Sequence, residues 1–418
     1  MFQVLAAVWA LLLGMALIMI GNGMQATLIG VRGDIEGFST FELSVITSGY
    51  FVGFLAGSRL TPELIRRVGH VRVFAALASF LSAGLIALPV LAEPWAWTLL
   101  RVALGFCLSG VYVTAESWLN NAATNETRGQ TLSAYMIAQM LGMVAAQGLM
   151  NVGDAGGFVL FILPSILVSL AVAPILLSIS PTPAFDTAKP MRLTTLFINS
   201  PLAAVGMMIL GGVFAAQFGM ASVYGAAAGL SVGQISTFIA MIFTGSLVLQ
   251  YPIGWLSDRM DRRVLICGVS VVGAGVGLAG FLSGSAYPVL LIIAFVFGGM
   301  TNPLYSLFIA YANDFLEIED MPAASGGLVF IYGLGAITGP IVTGQLMSWV
   351  GPKGFWLFVM LLFFAIAAYA LWRMTRRASV PVDETGAYVG VSPTASPVAV
   401  SAAQDWYIEQ AEEQDAQD

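Results

Sequence analysis

The sequence predicts an all-α integral membrane protein of twelve transmembrane helices, arranged as two pseudo-symmetric six-helix halves. Three observations lead there. Of 418 residues, 58% are hydrophobic and only 9% charged, against ~25% charged in ordinary soluble domains. Apolar runs of about 20 residues, enough to cross a ~30 Å hydrocarbon layer as helices, recur from the start of the chain to Arg373. The longest internal polar break, Pro181 to Ser200, divides six such runs from six. Because the runs do not alternate in polarity, a membrane β-barrel is excluded.

In order, the spans are read as residues 4–29, 41–60, 72–92, 95–120, 131–150, 156–179, 201–223, 232–254, 264–284, 287–312, 325–349 and 355–373. The first starts without a basic segment and is too long for a signal-peptide core, so it is expected to stay as a helix. Lysine and arginine set the orientation. With the N-terminus inside, thirteen of the sixteen basic residues are cytoplasmic, among them Arg59, Arg66, Arg67, Arg72, Arg259, Arg262, Arg263 and Arg376. Only Arg32 and Lys353 fall outside, and Arg101 lies within a span. That bias favours an even helix count with both termini in the cytoplasm of an inner-membrane protein.

The domains then follow as an N-terminal half (1–180), a cytoplasmic linker (181–200), a C-terminal half (201–373) and a tail (374–418). The tail carries eight acidic residues against Arg376 and Arg377 and has no helical periodicity. It is expected to be disordered and cytoplasmic. Since it supplies most of the net charge of −7, that charge says nothing about a solute.

Polar residues inside spans are costly and mark interior faces. On span four Arg101, Gly105, Ser109, Tyr112 and Glu116 recur at helical spacing and share one face. Arg101 and Glu116 lie roughly 22 Å apart along that axis, so they cannot pair directly. Uncharged hydrogen-bonding groups appear as Asn22 and Gln25 in span one, Gln139 in span five, Gln217 in span seven, and Asn302, Tyr305 and Ser306 in span ten. The candidate cavity residues are Asn22, Gln25, Gln139, Gln217, Asn302 and Tyr305 with Ser109 and Tyr112 of span four. Their plainer role would be to glue helices together.

Between spans eight and nine, Gly254-Trp255-Leu256-Ser257-Asp258-Arg259-Met260-Asp261-Arg262-Arg263 packs five of the chain's few charges into a tight turn. It resembles the major facilitator superfamily signature G-x-L-[AS]-D-R-x-G-R-R, with Asp261 in place of the second glycine. Leu100-Arg101 to Gly105 is similar to that superfamily's fourth-helix motif R-x-x-x-G, whose arginine is linked to proton coupling there. Glu116-Ser117, Arg128-Gly129 and Ala134-Tyr135-Met136 look like the YcaD-like branch, over the membrane body but not the tail. The resemblance implies the major facilitator fold, with spans one, four, seven and ten lining a central cavity. It also implies a cytoplasmic gate built from Gly254, Asp258, Arg259, Arg262 and Arg263, with Asp258 and Arg259 pairing to Asn313 or Asp314. A degenerate copy of the signature about 192 residues earlier sets Arg67 against Arg259, Pro62 against Gly254 and Arg66 against Asp258. By that repeat, Arg66, Arg67 or Arg72 is expected to serve the cytoplasmic gate by pairing with Glu116, the nearest acid candidate for a loop read as lacking its own, or with a neighbouring helix end.

Other chemistry finds little support. Cys107 and Cys267 are far apart in apolar runs and His70 is the only histidine, so no metal site is expected. Gly273-Ala274-Gly275-Val276-Gly277 follows no strand, and no phosphate-binding G-x-x-x-x-G-K-[ST] loop occurs. Gly326, Gly335, Gly339-Pro340 and Gly344 have the antiporter-motif spacing but in span eleven rather than five, so only a Pro-kinked helix is inferred. No cofactor, nucleic acid or catalytic constellation is expected. The partners are the bilayer, a small-molecule solute and, as a candidate coupling ion, a proton. The expected function is secondary transport of a small neutral, amphipathic or zwitterionic solute by a monomer. The alternative is a non-transporting receptor or scaffold that signals through the tail.

Overall fold

A computed structural model describes residues 2–123, 127–177, 191–283, 286–317, 320–381, 385–386 and 388–404. Among them, twelve helical spans are long and apolar enough to cross a membrane. The first half comprises α1 (Phe2–Ile35), α2 (Thr40–Val68), α3 (His70–Val90), α4 (Pro94–Ala122), α5 (Arg128–Leu149) and α6 (Val159–Leu177). A short α7 (Leu193–Asn199) follows, so part of the expected linker is helical, while its residues 181–190 lie outside the described ones.

The seventh span is composite, with α8 (Pro201–Ala215), a π turn (Ala216–Met220) and α9 (Ala221–Ala227). Then come α10 (Val232–Ser257), α11 (Arg262–Leu282), α12 (Tyr287–Asn313), α13 (Met321–Val350) and α14 (Gly354–Met374).

Local chemistry repeats between the halves. Ser39 starts α2 with a capping box closed by Glu42, and Ser231 starts α10 with one closed by Gln234. Each satisfies helix-end donors in both directions. The two serines are 192 positions apart (231 less 39), the same interval that relates Arg67 to Arg259. Glycines repeat the theme. A Cβ at Gly53 of α2 would stand 1.8 Å from the Val102 carbonyl oxygen of α4, and one at Gly245 of α10 would stand 1.8 Å from that of Phe295 on α12. Backbone therefore lies on backbone at both crossings, the close approach that small residues permit between membrane helices.

Within each half the pairs α1 with α5, α2 with α4, α8 with α13 and α10 with α12 form the frame. Across the halves, α2 meets α13, α5 meets α10 and α1 meets α9. At the end opposite the signature turn the halves touch directly. Ser222 Oγ donates to the Ala26 carbonyl (3.3 Å) and Ser48 Oγ to that of Ile337 (2.8 Å). At the signature end, residues 388–404 lie between the halves.

That placement corrects the expectation of a disordered tail. Residues 388–396 run extended or in turns and 397–404 are helical. Val391, Ala395, Ser396, Val400 and Ala402 are buried. The tail's acids at 383, 384 and from 405 onward fall outside the described residues.

Candidate functional site

All eight residues named as cavity candidates are buried, but they do not form one surface. A central chamber is lined by Asn22 of α1, Tyr112 of α4, Gln139 of α5 and Asn302 of α12, with Met19, Met140, Met143, Phe214, Phe218 and Phe243 filling the gaps. Gln25, Ser109, Gln217 and Tyr305 lie outside that lining; Tyr305 packs edge-on to Tyr332 at 5.0 Å. Phe214 of α8 and Phe218 of the π turn, four positions apart, lie nearly parallel with centroids 5.8 Å apart and both line the chamber; such turns recur at functional sites.

Polar capacity in and around this chamber is left unused by the protein. Both amide atoms of Gln139 and of Gln217, Nε2 of Gln25, Oδ1 of Asn302 and the Tyr305 hydroxyl are buried with no hydrogen-bond partner. Buried polar atoms are normally satisfied, so Gln139 and Asn302, which line the chamber, are suited to a solute or water. Tyr112 donates its hydroxyl to the Met19 sulfur (2.8 Å).

Arg101 is fully buried and lies against the Tyr50 ring, 4.3 Å from its centroid. Its Nε and Nη1 have no partner. The contact exists because Gly105, one turn along, lets α4 rest on the Tyr50 carbonyl of α2. The quadrupole of the ring offsets part of the cost of desolvating the guanidinium. Tyr50 also joins Phe51, Phe54, Phe214, Phe218 and Tyr332 around a second, aromatic chamber next to the first.

Glu116, 1% exposed, is not paired with an arginine. Its Oε1 accepts from the Tyr135 hydroxyl of α5 (3.2 Å) and its Oε2 from the Ser396 amide of the tail (2.8 Å). The expected partners are committed elsewhere: Arg66 and Arg67 reach Glu63 on their own helix, at 3.8 and 2.9 Å, and Arg72 is exposed. The first-half loop therefore has its own acid, one helical turn before the arginines, a spacing that favours pairing within the helix.

In the signature turn the pairing also differs from expectation. Arg262, not Arg259, reaches α12, where it binds Asp314, the Ala310 carbonyl (3.2 Å) and, within its own turn, Ser257 Oγ (3.2 Å). Arg259 folds back over Trp255, 4.2 Å from its centroid. Arg263 pairs with Asp261 (2.7 Å) and donates to the Arg377 carbonyl (2.6 Å) at the end of α14. Burial tends to raise the Asp261 carboxyl, but the Arg263 side chain and amide outweigh it and hold it below its ordinary range. Burial pushes Asp314 up, with Arg262 pulling against it. Asp258 lies 4.0 Å from Arg262 and accepts from the Tyr388 amide (2.7 Å). Gly254 leaves the space that the Tyr388 ring fills, since a Cβ there would lie 2.6 Å from the ring.

Sequence reasoning missed Tyr50, the methionines and phenylalanines of the chamber, and the tail, and it had Tyr135 only as part of a family motif. The apolar residues gave no signal against a background of apolar helices. The tail did give one: Thr385 to Gln404 is a stretch of 20 residues without a charge, set between Asp383-Glu384 and the acids from Asp405 onward.

The sequence profile of the Major Facilitator Superfamily matches residues 11–232 and 196–402. The MFS-type transporter YcaD of Escherichia fergusonii is 26% identical over 385 residues, 90% of this chain and 97% of its own. A crystal structure of a point mutant of the nucleoside transporter NupG superposes with a TM-score of 0.74 at 14% identity, covering 88% of this chain and 99% of its own. A bacterial homologue of the human lysosomal transporter Spinster, in an inward-facing and unoccupied conformation, gives 0.68 at 13% identity over 96% and 98%. These two likenesses concern the fold.

Proposed function

The chain belongs to the major facilitator superfamily, and from that premise we propose that it carries a small neutral, amphipathic or zwitterionic solute across the membrane by alternating access. The observation that carries this reading is the central chamber, where amide and hydroxyl groups of Asn22, Tyr112, Gln139 and Asn302 are set among methionine and phenylalanine side chains. Such walls offer hydrogen bonds and apolar contact but no formal charge. A strongly ionic solute would need a partner ion that only Arg101 or Glu116 could supply, and neither belongs to that lining. The chamber lies between the halves, so rocking them about it exposes it to one side at a time.

In this reading the signature turn faces the cytoplasm and the present conformation is inward-facing, sealed on the outside by contacts such as Ser48 to Ile337 and Ser222 to Ala26. Glu116 is the candidate proton carrier. Its neighbours are a hydroxyl and an amide rather than a guanidinium, so no fixed cation holds it ionised, and gaining a proton removes a charge from a buried site. Signalling through a free tail is disfavoured because residues 388–404 pack inside the body.

The test is a thermal-shift screen of the purified full-length protein against neutral, zwitterionic and ionic solutes, followed by uptake of the hits into proteoliposomes. Saturable uptake of an uncharged or zwitterionic hit, weakened by Gln139→Ala or Asn302→Ala, supports the reading. Uptake confined to strongly charged solutes would overturn it.

A further inference from the structure

The tail is seated by hydrogen bonds that reach both halves. In the first half, Glu116 accepts the Ser396 amide (2.8 Å). In the second, Ser306 of α12 accepts the Val391 amide (2.9 Å) and donates to the Val391 carbonyl (3.1 Å), so one side chain reads both polar groups of one tail residue. Gln250 of α10 donates to the Tyr388 hydroxyl (2.7 Å), and Gln404 donates to Asn313 (2.8 Å). Ser392, Pro393 and Thr394, at the tip of the loop, form part of the wall of the central chamber. The space left there holds about one water.

Composition fits the seat. The inserted segment is made largely of alanine, serine, valine, proline and glycine with no charge from Thr385 to Gln404, and its acids begin only on either side. An uncharged segment of small residues can enter a membrane-level cavity that would reject carboxylates.

We propose that residues 388–404 are an internal plug, a peptide segment that fills the solute path from the signature-turn end and must withdraw before a solute can bind or the halves can rock. The consequence for transport rests on the function proposed above; the seat itself does not. The groups that hold the plug include Glu116, the candidate proton carrier, and the chamber that would receive the solute. Plug and solute therefore exclude one another. If the seat is filled nine-tenths of the time, a solute entering from that side binds about tenfold more weakly than its intrinsic affinity. Asp258 and Gly254 of the signature turn contribute by anchoring Tyr388, so the gate element and the plug are coupled.

The experiment uses the full chain in inside-out membrane vesicles, with Cys107→Ser and Cys267→Ser removing the native thiols. Ser306→Cys is then labelled with a membrane-impermeant maleimide, alone and together with Val400→Asp, which puts a carboxylate at a fully buried tail position. Labelling should be slow in the first and about tenfold faster or more in the second. Oxidation of Ser306→Cys with Val391→Cys should form a disulfide and abolish labelling until reductant is added. If the Ser306→Cys variants do not express, Asn313→Cys with Gln404→Cys and a short bifunctional reagent tests the same seat. Equal labelling rates with no crosslink in either pair overturns the plug. None of these readouts needs a transported solute, so a failed transport assay and a failed plug are told apart. Where uptake is measurable, Val400→Asp alone should raise its initial rate, and an unchanged rate would mean that the segment sits in the cavity without blocking it.

Discussion

Replacing Gly105 with alanine tests the crossing that positions Arg101, a fully buried cation. The added Cβ would lie 2.0 Å from the Tyr50 carbonyl oxygen and 3.0 Å from the Phe54 amide nitrogen. Cβ atoms essentially never approach another heavy atom within 3.0 Å, so α2 and α4 would have to separate by about 1 Å where backbone now rests on backbone. Overpacking of this kind costs ~1–3 kcal/mol. The separation falls at Tyr50, whose ring lies 4.3 Å from the Arg101 guanidinium, so a buried cation also loses part of its partner. The control is Gly275→Ala on α11, where an added Cβ meets nothing within 4 Å and helix propensity should give back ~0.5–1 kcal/mol. Thermal unfolding of the two purified variants in detergent, followed by intrinsic fluorescence, should move the midpoint in opposite directions, down for Gly105→Ala and level or up for Gly275→Ala. A Gly105→Ala protein as stable as wild type would refute the crossing geometry and with it the account of how Arg101 is held.

The remaining predictions concern charge. Asp314→Ala leaves Arg262 buried without its acid and should cost ~3–5 kcal/mol, whereas Asp258→Asn, at an exposed carboxylate 4.0 Å away, should change stability by only ~0–1 kcal/mol; chemical denaturation of both separates the two roles. Glu116→Gln should abolish stimulation of uptake by an imposed pH gradient in proteoliposomes, and persistence of that stimulation would place the proton site elsewhere. Because Asp261 is held below its ordinary range by Arg263 despite burial, it contributes stability that is full above the unfolded carboxylate's pKa and lost as pH falls through the folded one. Thermal midpoints measured across the acidic range should therefore fall less steeply for Asp261→Asn than for wild type.

The sequence alone determined the twelve spans, their division into halves and the polar residues that face inward. Those features are local or additive. A run of apolar residues must be as long as the bilayer is thick, and Asn22, Gln139 or Asn302 inside such a run must turn from lipid wherever the helix is placed. The repeat was legible too, in Arg67 set against Arg259, and the structure adds Ser39 and Ser231, which cap their helices at the same interval. Tertiary structure decided the pairings. Successive residues on a helix differ by about 100° in direction, so the signature turn alone could not say that Arg262 rather than Arg259 would face Asp314. Nor could repeat analogy foresee that Glu63 would take Arg66 and Arg67 and leave Glu116 to Tyr135 and the tail. The tail's place was the least legible. An uncharged stretch of alanine, serine and valine has no strong preference of its own, and Val391 and Ser396 acquire theirs only where Ser306 and Glu116, 190 positions apart in sequence (306 less 116), receive them from opposite halves.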